Sequence, residues 1–284
     1  MPTASFGWSD SNALSQQLDN PLHPPQQPIG GPMDKLGEQA VARVVGAMQT
    51  NLGERITIDD MAKVAMFSKF HFTRVFQRVT GVSPARFLSA LRLQEAKRYL
   101  VATDLRVTEI SHRVGYNSPG TFSSRFKTSV GLSPTEYRQL RGRTTRISVD
   151  NRKNIVVRRT SSVSGRIHCP AECEPGPTFV GLFRDPIPQG APISCAVLPG
   201  PGHFQLENVP EGAWHLLIHT VPAGSEHTAD RTPSVGSHGP LVVSSSTVAH
   251  VVDVVLRPMS AIDPPVLMAL LDVRTTALEI SRAS

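Results

Sequence analysis

Residues 68–87 and 118–137 carry one pattern twice, at an offset of 50. The first copy reads SKFHFTRVFQRVTGVSPARF and the second SPGTFSSRFKTSVGLSPTEY. Ser68/Ser118, Phe72/Phe122, Phe76/Phe126, Gly81/Gly131, Ser83/Ser133 and Pro84/Pro134 match in identity, and Phe87/Tyr137 match in type. A repeat this dense means that one supersecondary unit is built twice, and any fold for the chain must accommodate both copies.

Each copy has the parts of a helix-turn-helix. In the first, Thr57 with Asp60 three residues later caps a short helix, Ile58 to Val64. Ala65, Met66 and Phe67 make the turn, and Ser68 caps a second helix. On that helix Phe72, Val75, Phe76 and Val79 form one inward stripe at i, i+3, i+4 and i+7. Phe70, Thr73, Arg74 and Gln77 form the opposite stripe, where Arg, Gln and Thr could reach base edges in a major groove. Gly81 ends the helix, and Ser83-Pro84 opens the next as cap and first residue. The second copy is expected to run from Ile110 to Val114, turn at Gly115 and Tyr116, and resume from Ser118. Phe122 and Phe126 face inward. Gly120, Thr121, Ser123, Ser124 and Lys127 are its outward candidates. Between the copies, Pro84 to Val101 reads as one long helix, with Phe87, Leu88, Leu91, Tyr99 and Leu100 on its apolar side. It would hold both motifs on one rigid monomer, able to enter groove segments about 34 Å apart on one face of a duplex.

Charge supports that direction. The net +6 is concentrated between Lys35 and Arg146, where 19 Lys and Arg face 8 Asp and Glu, while both flanks are net negative. A basic block beside near-neutral segments points to a polyanionic partner. The three cysteines, Cys169, Cys173 and Cys195, are too few and too odd in number for a disulfide framework. With no apolar run long enough to span a bilayer and no secretory start, they lead to the expectation of a cytoplasmic protein.

Composition divides the chain into five parts. Residues 1–34, rich in Pro, Gln and Ser, read as a disordered leader. Residues 35–143 form the helical unit, and 144–160 a basic linker. Residues 161–260 carry short alternating runs between turn residues (Thr178–Phe183, Ile193–Leu198, Trp214–Val221, Val248–Leu256), which point to an all-β sandwich. Residues 261–284 form a tail whose VLMALLDV run fits a strand or a short helix. The fold class expected is therefore an all-α double helix-turn-helix domain followed by an all-β sandwich.

The helical unit resembles the AraC/XylS family of bacterial transcription regulators over about residues 41–140. The resemblance rests on Ile56–Pro84, Arg92–Leu100 and Arg106–Arg138. Gly115, Tyr116, Phe122, Phe126, Lys127, Gly131, Ser133, Pro134, Tyr137 and Arg138 carry its most specific pattern. It implies base contacts from Phe70, Thr73 and Arg74 in the first motif and from Gly120, Thr121 and Ser124 in the second. The second copy departs from the pattern. Ser111 and His112 replace small residues, Pro119-Gly120 opens its reading helix without a side chain that reads bases, and Ser124 stands where an arginine is common. Arg125, one place later, would then contact phosphate, leaving the first motif as the main reader. The implied partner is double-stranded DNA, with RNA polymerase and a small-molecule effector as further candidates. The order of domains is unusual for the family, since the DNA-binding unit precedes the β-rich one.

In the C-terminal half, Gly202–Val221 resembles the repeated pattern of carboxypeptidase regulatory-like and transthyretin-like β-sandwiches. Phe204 and Leu206 alternate inward, Pro210-Glu211-Gly212 turns, and Trp214, Leu216 and Ile218 resume. Gly165 and Phe179–Phe183 fit the same pattern. His215 and His219 would lie on the solvent side of their strand. His168, Cys169 and Cys173 are loosely metal-like, but the spacing is not that of a zinc knuckle. No phosphate loop, nucleophile elbow or zincin motif occurs, so neither an enzyme nor a cofactor is expected. The alternatives to a sequence-specific regulator are a nonspecific architectural DNA binder and a carbohydrate- or effector-binding module fused to a DNA-binding domain.

Overall fold

The structure, a computed structural model, describes residues 32–142 and 161–269 except 172, 175, 224–231 and 245–248. The leader and the basic linker therefore fall outside the described residues, apart from the last three of the leader, which begin a helix. Among the described residues the chain forms seven helices and then nine strands. The helices are α1 (Pro32–Thr50), α2 (Ile58–Ala65), α3 (Lys69–Thr80), α4 (Pro84–Ala102), α5 (Val107–Arg113), α6 (Pro119–Val130) and α7 (Pro134–Gln139).

Local chemistry sets most of these boundaries. Thr57 and Asp60 close a capping box around α2, with Thr57 N donating to the Asp60 carboxylate at 3.0 Å and Asp60 N to Thr57 Oγ1 at 3.2 Å. Met66 takes the left-handed conformation at φ 60° to end that helix. Ser68 and Ser118 cap α3 and α6, and Gly81 and Gly131 end them at φ 75° and 94°. Helix α5 begins three residues before the expected Ile110. Its start uses Glu109, whose carboxylate accepts Arg106 N at 2.7 Å; Arg106 is not a usual cap residue, so residue type alone does not mark this start.

The repeat is visible in the core. In the first copy Phe72, Phe76 and Phe87 stack in a chain with centroid separations of 5.5 and 5.4 Å. In the second, Phe122, Phe126 and Tyr137 do the same at 5.7 and 5.5 Å. Burial pushes the Tyr137 phenol up to about 12. Helix α4 lies between the copies. Its buried side chains include Leu88, Leu91, Leu93, Ala96 and Leu100, whereas Tyr99 is only half-buried.

The strands are β1 (Ser161–His168), β2 (Thr178–Phe183), β3 (Ser194–Leu198), β4 (His203–Val209), β5 (Gly212–Thr220), β6 (Ser234–Val243), β7 (Ala249–Val251), β8 (Val254–Val255) and β9 (Arg257–Pro258). They form two sheets. One is ordered β4-β1-β7 with β8 also on β1, and the other β3-β2-β5-β6-β9. The Pro210–Gly212 turn joins β4 to β5, which lie in different sheets, so it carries the chain across the core instead of closing a hairpin. The Trp214 indole fixes that turn by donating to the Pro210 carbonyl at 2.8 Å. Val163, Ile167, Phe204 and Leu206 of the first sheet share one apolar cluster with Val180, Trp214, Leu216 and Ile218 of the second. The run expected as one strand over 248–256 is broken after Val251. Val252 turns its carbonyl onto Gly165, where any Cβ would collide with it, and Asp253 accepts Arg166 N at 2.9 Å.

Three expectations are corrected. The sulfurs of Cys169 and Cys173 are bonded to each other. The two lie four positions apart just after β1, with their Cα atoms at 5.6 Å, a separation a disulfide accepts. His215 and His219 do not lie on a solvent face, for His219 is buried and His215 half-buried. The outer side of their sheet carries a second apolar cluster, Phe179, Phe183 and Leu217, covered by Met268. Finally, 264–269 is neither strand nor helix, and it is not a loose tail. Leu267 and Ala269 belong to the helical core, while Met268 packs on the sheet. The rest of the VLMALLDV run lies outside the described residues.

Candidate nucleic-acid interface

Helix α3 turns its two stripes in opposite directions. Phe72, Val75 and Phe76 are buried, whereas Arg74 and Gln77 are exposed and Phe70 is 85% exposed. The Thr73 hydroxyl donates back to the Lys69 carbonyl at 2.9 Å, so its methyl and an oxygen lone pair are what it presents outward. Met66, in the turn before α3, is likewise 83% exposed. An unburied aromatic of this size suits contact with thymine methyls or sugars. A Lys69–Asp59 ion pair at 2.9 Å ties the start of α3 to α2.

Helix α6 presents a plainer surface. Gly120, Thr121, Ser124, Arg125 and Lys127 are all exposed, with Ser123 half-buried. Along the repeat, Phe70 corresponds to Gly120, Arg74 to Ser124 and Gln77 to Lys127. Arg125 corresponds to Val75, which is buried. In keeping with that position, Arg125 lines the groove between α4 and α6, beside Ser89 and Arg92, on the flank of the outward stripe. Ser111, one of the departures in the second motif, is fully buried and donates to the Thr108 carbonyl at 2.7 Å, while His112 is exposed.

Two arginines missed as structural residues hold the motifs on α4. Arg92 donates from Nε to the Leu52 carbonyl at 3.0 Å and from Nη2 to the Glu54 carbonyl at 2.7 Å. Arg138 donates to the carbonyls of Leu100 and Leu105 at 3.2 and 2.5 Å. Tyr116 Oη lies 3.3 Å from Ser89 Oγ, fixing the second turn on the same helix.

The helix-turn-helix domain family matches residues 61–140. The transcriptional activator AarP of Providencia stuartii is 31% identical over 34% of this chain and 73% of its own length. The chain belongs to the AraC-type family of helix-turn-helix transcription regulators. The lactose operon transcription activator of Staphylococcus xylosus is 32% identical over 34% of this chain and 35% of that protein. A Bacillus subtilis regulator, YbfP, is 35% identical over 36% and 34%. The chain thus spans about a third of the length of two of these relatives. Among solved structures, the DNA-binding domain of AdpA in complex with a target DNA is 32% identical, covering 35% of this chain and 90% of that one, with a TM-score of 0.34.

No helix among the described residues is long and apolar enough to cross a membrane. No cluster of three or more His, Cys, Asp or Glu suited to a metal ion occurs among them either.

Proposed function

We propose that the chain is a cytoplasmic, non-enzymatic regulator that binds a specific, asymmetric DNA site through α3 and α6. In this reading the β-rich unit is a transthyretin-like sandwich that controls or supports the DNA-binding unit. The observation that carries it is α3 itself. It is a fully capped helix, held by a buried aromatic chain, whose opposite side leaves Phe70, Arg74 and Gln77 exposed. Arg74 would read a guanine or position on phosphate, Gln77 and Thr73 would read neighbouring edges, and Phe70 would pack on a thymine methyl. Gly120, Thr121 and Ser124 would approach the backbone closely, with Lys127 and Arg125 supplying charge. RNA polymerase and a small-molecule effector are the further partners this reading calls for.

Selection of bound sequences from a random DNA pool, followed by salt-titrated affinities for selected and random duplexes, tests the proposal. A selected site should be preferred by about 10³-fold or more. Equal affinity for both, with a steep salt dependence, would instead identify an architectural DNA binder held by phosphates alone.

A further inference from the structure

Between the outer face of the second sheet and the last turn of α3 lies a cavity of about 570 Å³, within the size range of small-molecule sites. Its floor is apolar, formed by Phe179, Leu217 and Val266. One wall is formed by His215 and His219 of β5 with residues of β6, and another is the turn from Arg78 to Gly81. Nothing in the DNA-reading function uses these groups.

The charges in the lining do not cancel. Arg257 is held by Asp263, with Nη1 to Oδ2 at 2.7 Å. Arg78, exposed in the last turn of α3, has no carboxylate partner among the described residues. Burial pushes the His215 imidazole down, only partly opposed by Asp185, so near neutral pH it offers one N–H donor and one acceptor. The carboxyl end of α3 would repel an anion on its axis. Of the carbonyls there, that of Gln77 already accepts Gly81 N at 2.9 Å. An apolar floor, the His215 imidazole and one uncompensated guanidinium together describe a receptor for an organic acid.

The cavity is also joined to both motifs. Asp185 pairs with Arg86 of α4 at 2.9 Å. Five residues on, Gly190 N donates to the Ser129 carbonyl of α6 at 2.7 Å, and Ser129 Oγ donates to Gln189 Oε1 at 3.1 Å. Pro186, within this same bridge, lines the cavity beside Gly81. An occupant that contacts Arg78 and Pro186 touches the far end of the reading helix and the bridge that sets it against α6.

We propose that this cavity binds a small carboxylate with an apolar body, and that its occupancy changes DNA affinity through α3. The proposal rests on the reading of α3 as a DNA-reading helix and adds to it a ligand class and a route of coupling. A ligand shifts DNA affinity only by the difference in its own affinity for the two states of the protein.

Calorimetric titration of the full chain with benzoate and indole-3-acetate tests the site. Benzamide serves as an uncharged control and acetate as one without the ring. At least one aromatic acid should bind about tenfold more tightly than either control, a difference of about 1.4 kcal/mol. Arg78→Gln should weaken it by a similar factor, and Ser237→Trp, which fills the cavity from β6, should abolish it with the melting temperature kept. No binding by either acid, or undiminished binding by both variants, overturns the site. Binding that leaves the affinity for the selected DNA unchanged overturns the coupling. DNA selectivity measured without any acid reports separately on the reading underneath.

Discussion

The Arg92 guanidinium lies against the Cα of Gly115, so the turn of the second motif is closed onto a side chain that also holds the loop before the first. A Cβ at Gly115 would come within 2.6 Å of Arg92 Nη2 and would collide with the Leu52 carbonyl. The backbone there is also left-handed, at φ 80°. Gly115→Ala therefore combines a steric clash with an unfavourable conformation, and a loss of about 2–4 kcal/mol is expected in urea unfolding. Arg92→Met should cost about 1–3 kcal/mol by leaving the Leu52 and Glu54 carbonyls without their donor. Combining the two should not restore stability, since the Leu52 carbonyl still meets the new methyl. A double variant as stable as Arg92→Met alone would refute this account.

How much of this was legible in the sequence follows from the range of the forces involved. The caps at Thr57, Ser68 and Ser118 and the stops at Gly81 and Gly131 act within one helical turn, so residue type and spacing expose them. The aromatic chain was legible because it occurs twice. Helix α5 starts ahead of the expected Ile110 because its first turn is closed by Glu109, with an arginine where a short polar residue is usual. The solvent assignment of His215 and His219 failed for a different reason. Alternation along β5 separates two faces but does not say that a second cover exists. That cover comes from Val266 and Met268, about fifty positions away, and from the helical unit.

The C-terminal segment should behave as a shared piece of core. Leu267 is fully buried in the helical cluster and its N–H donates to the Pro188 carbonyl at 3.0 Å. Leu267→Ala should therefore cost about 2–5 kcal/mol. The helical unit, monitored by its far-ultraviolet ellipticity, should melt earlier although the substitution lies more than a hundred residues beyond it. An unchanged helical melting temperature would show that the segment does not belong to that core.

Asp263 gives the junction a pH dependence. Burial acts to raise its carboxyl, but hydrogen bonds from Arg257 and Ser260 outweigh this and hold it below the ordinary carboxylate range. A depressed folded-state value contributes stability that is present above the unfolded value of about 3.9 and is lost as pH falls through the folded one. Asp263→Asn should cost about 1 kcal/mol near pH 7, a figure kept small because Arg257 is half exposed. The gap between the two proteins should narrow as the pH is lowered from 5 toward 3. A gap that stays constant over that window would remove the ion pair from the explanation.

The two reading helices should contribute unequally to DNA recognition, because the repeat preserved their inward residues and not their outward ones. Arg74 projects from α3 where α6 has Ser124, and Phe70 projects where α6 has Gly120. Arg74→Ala should cost about 1–3 kcal/mol on the selected site and relax the preference at one base pair. Ser124→Ala should leave both nearly unchanged. Lys127→Ala, by contrast, should weaken selected and random DNA alike and reduce the salt slope by about 1, as expected for a lost phosphate contact. Repeating the random-pool selection with each variant separates these outcomes. If Ser124→Ala relaxes a position in the site and Arg74→Ala does not, the order of the two motifs must be reversed. Exposure along the helix would then be a poor guide to which side chain meets the bases.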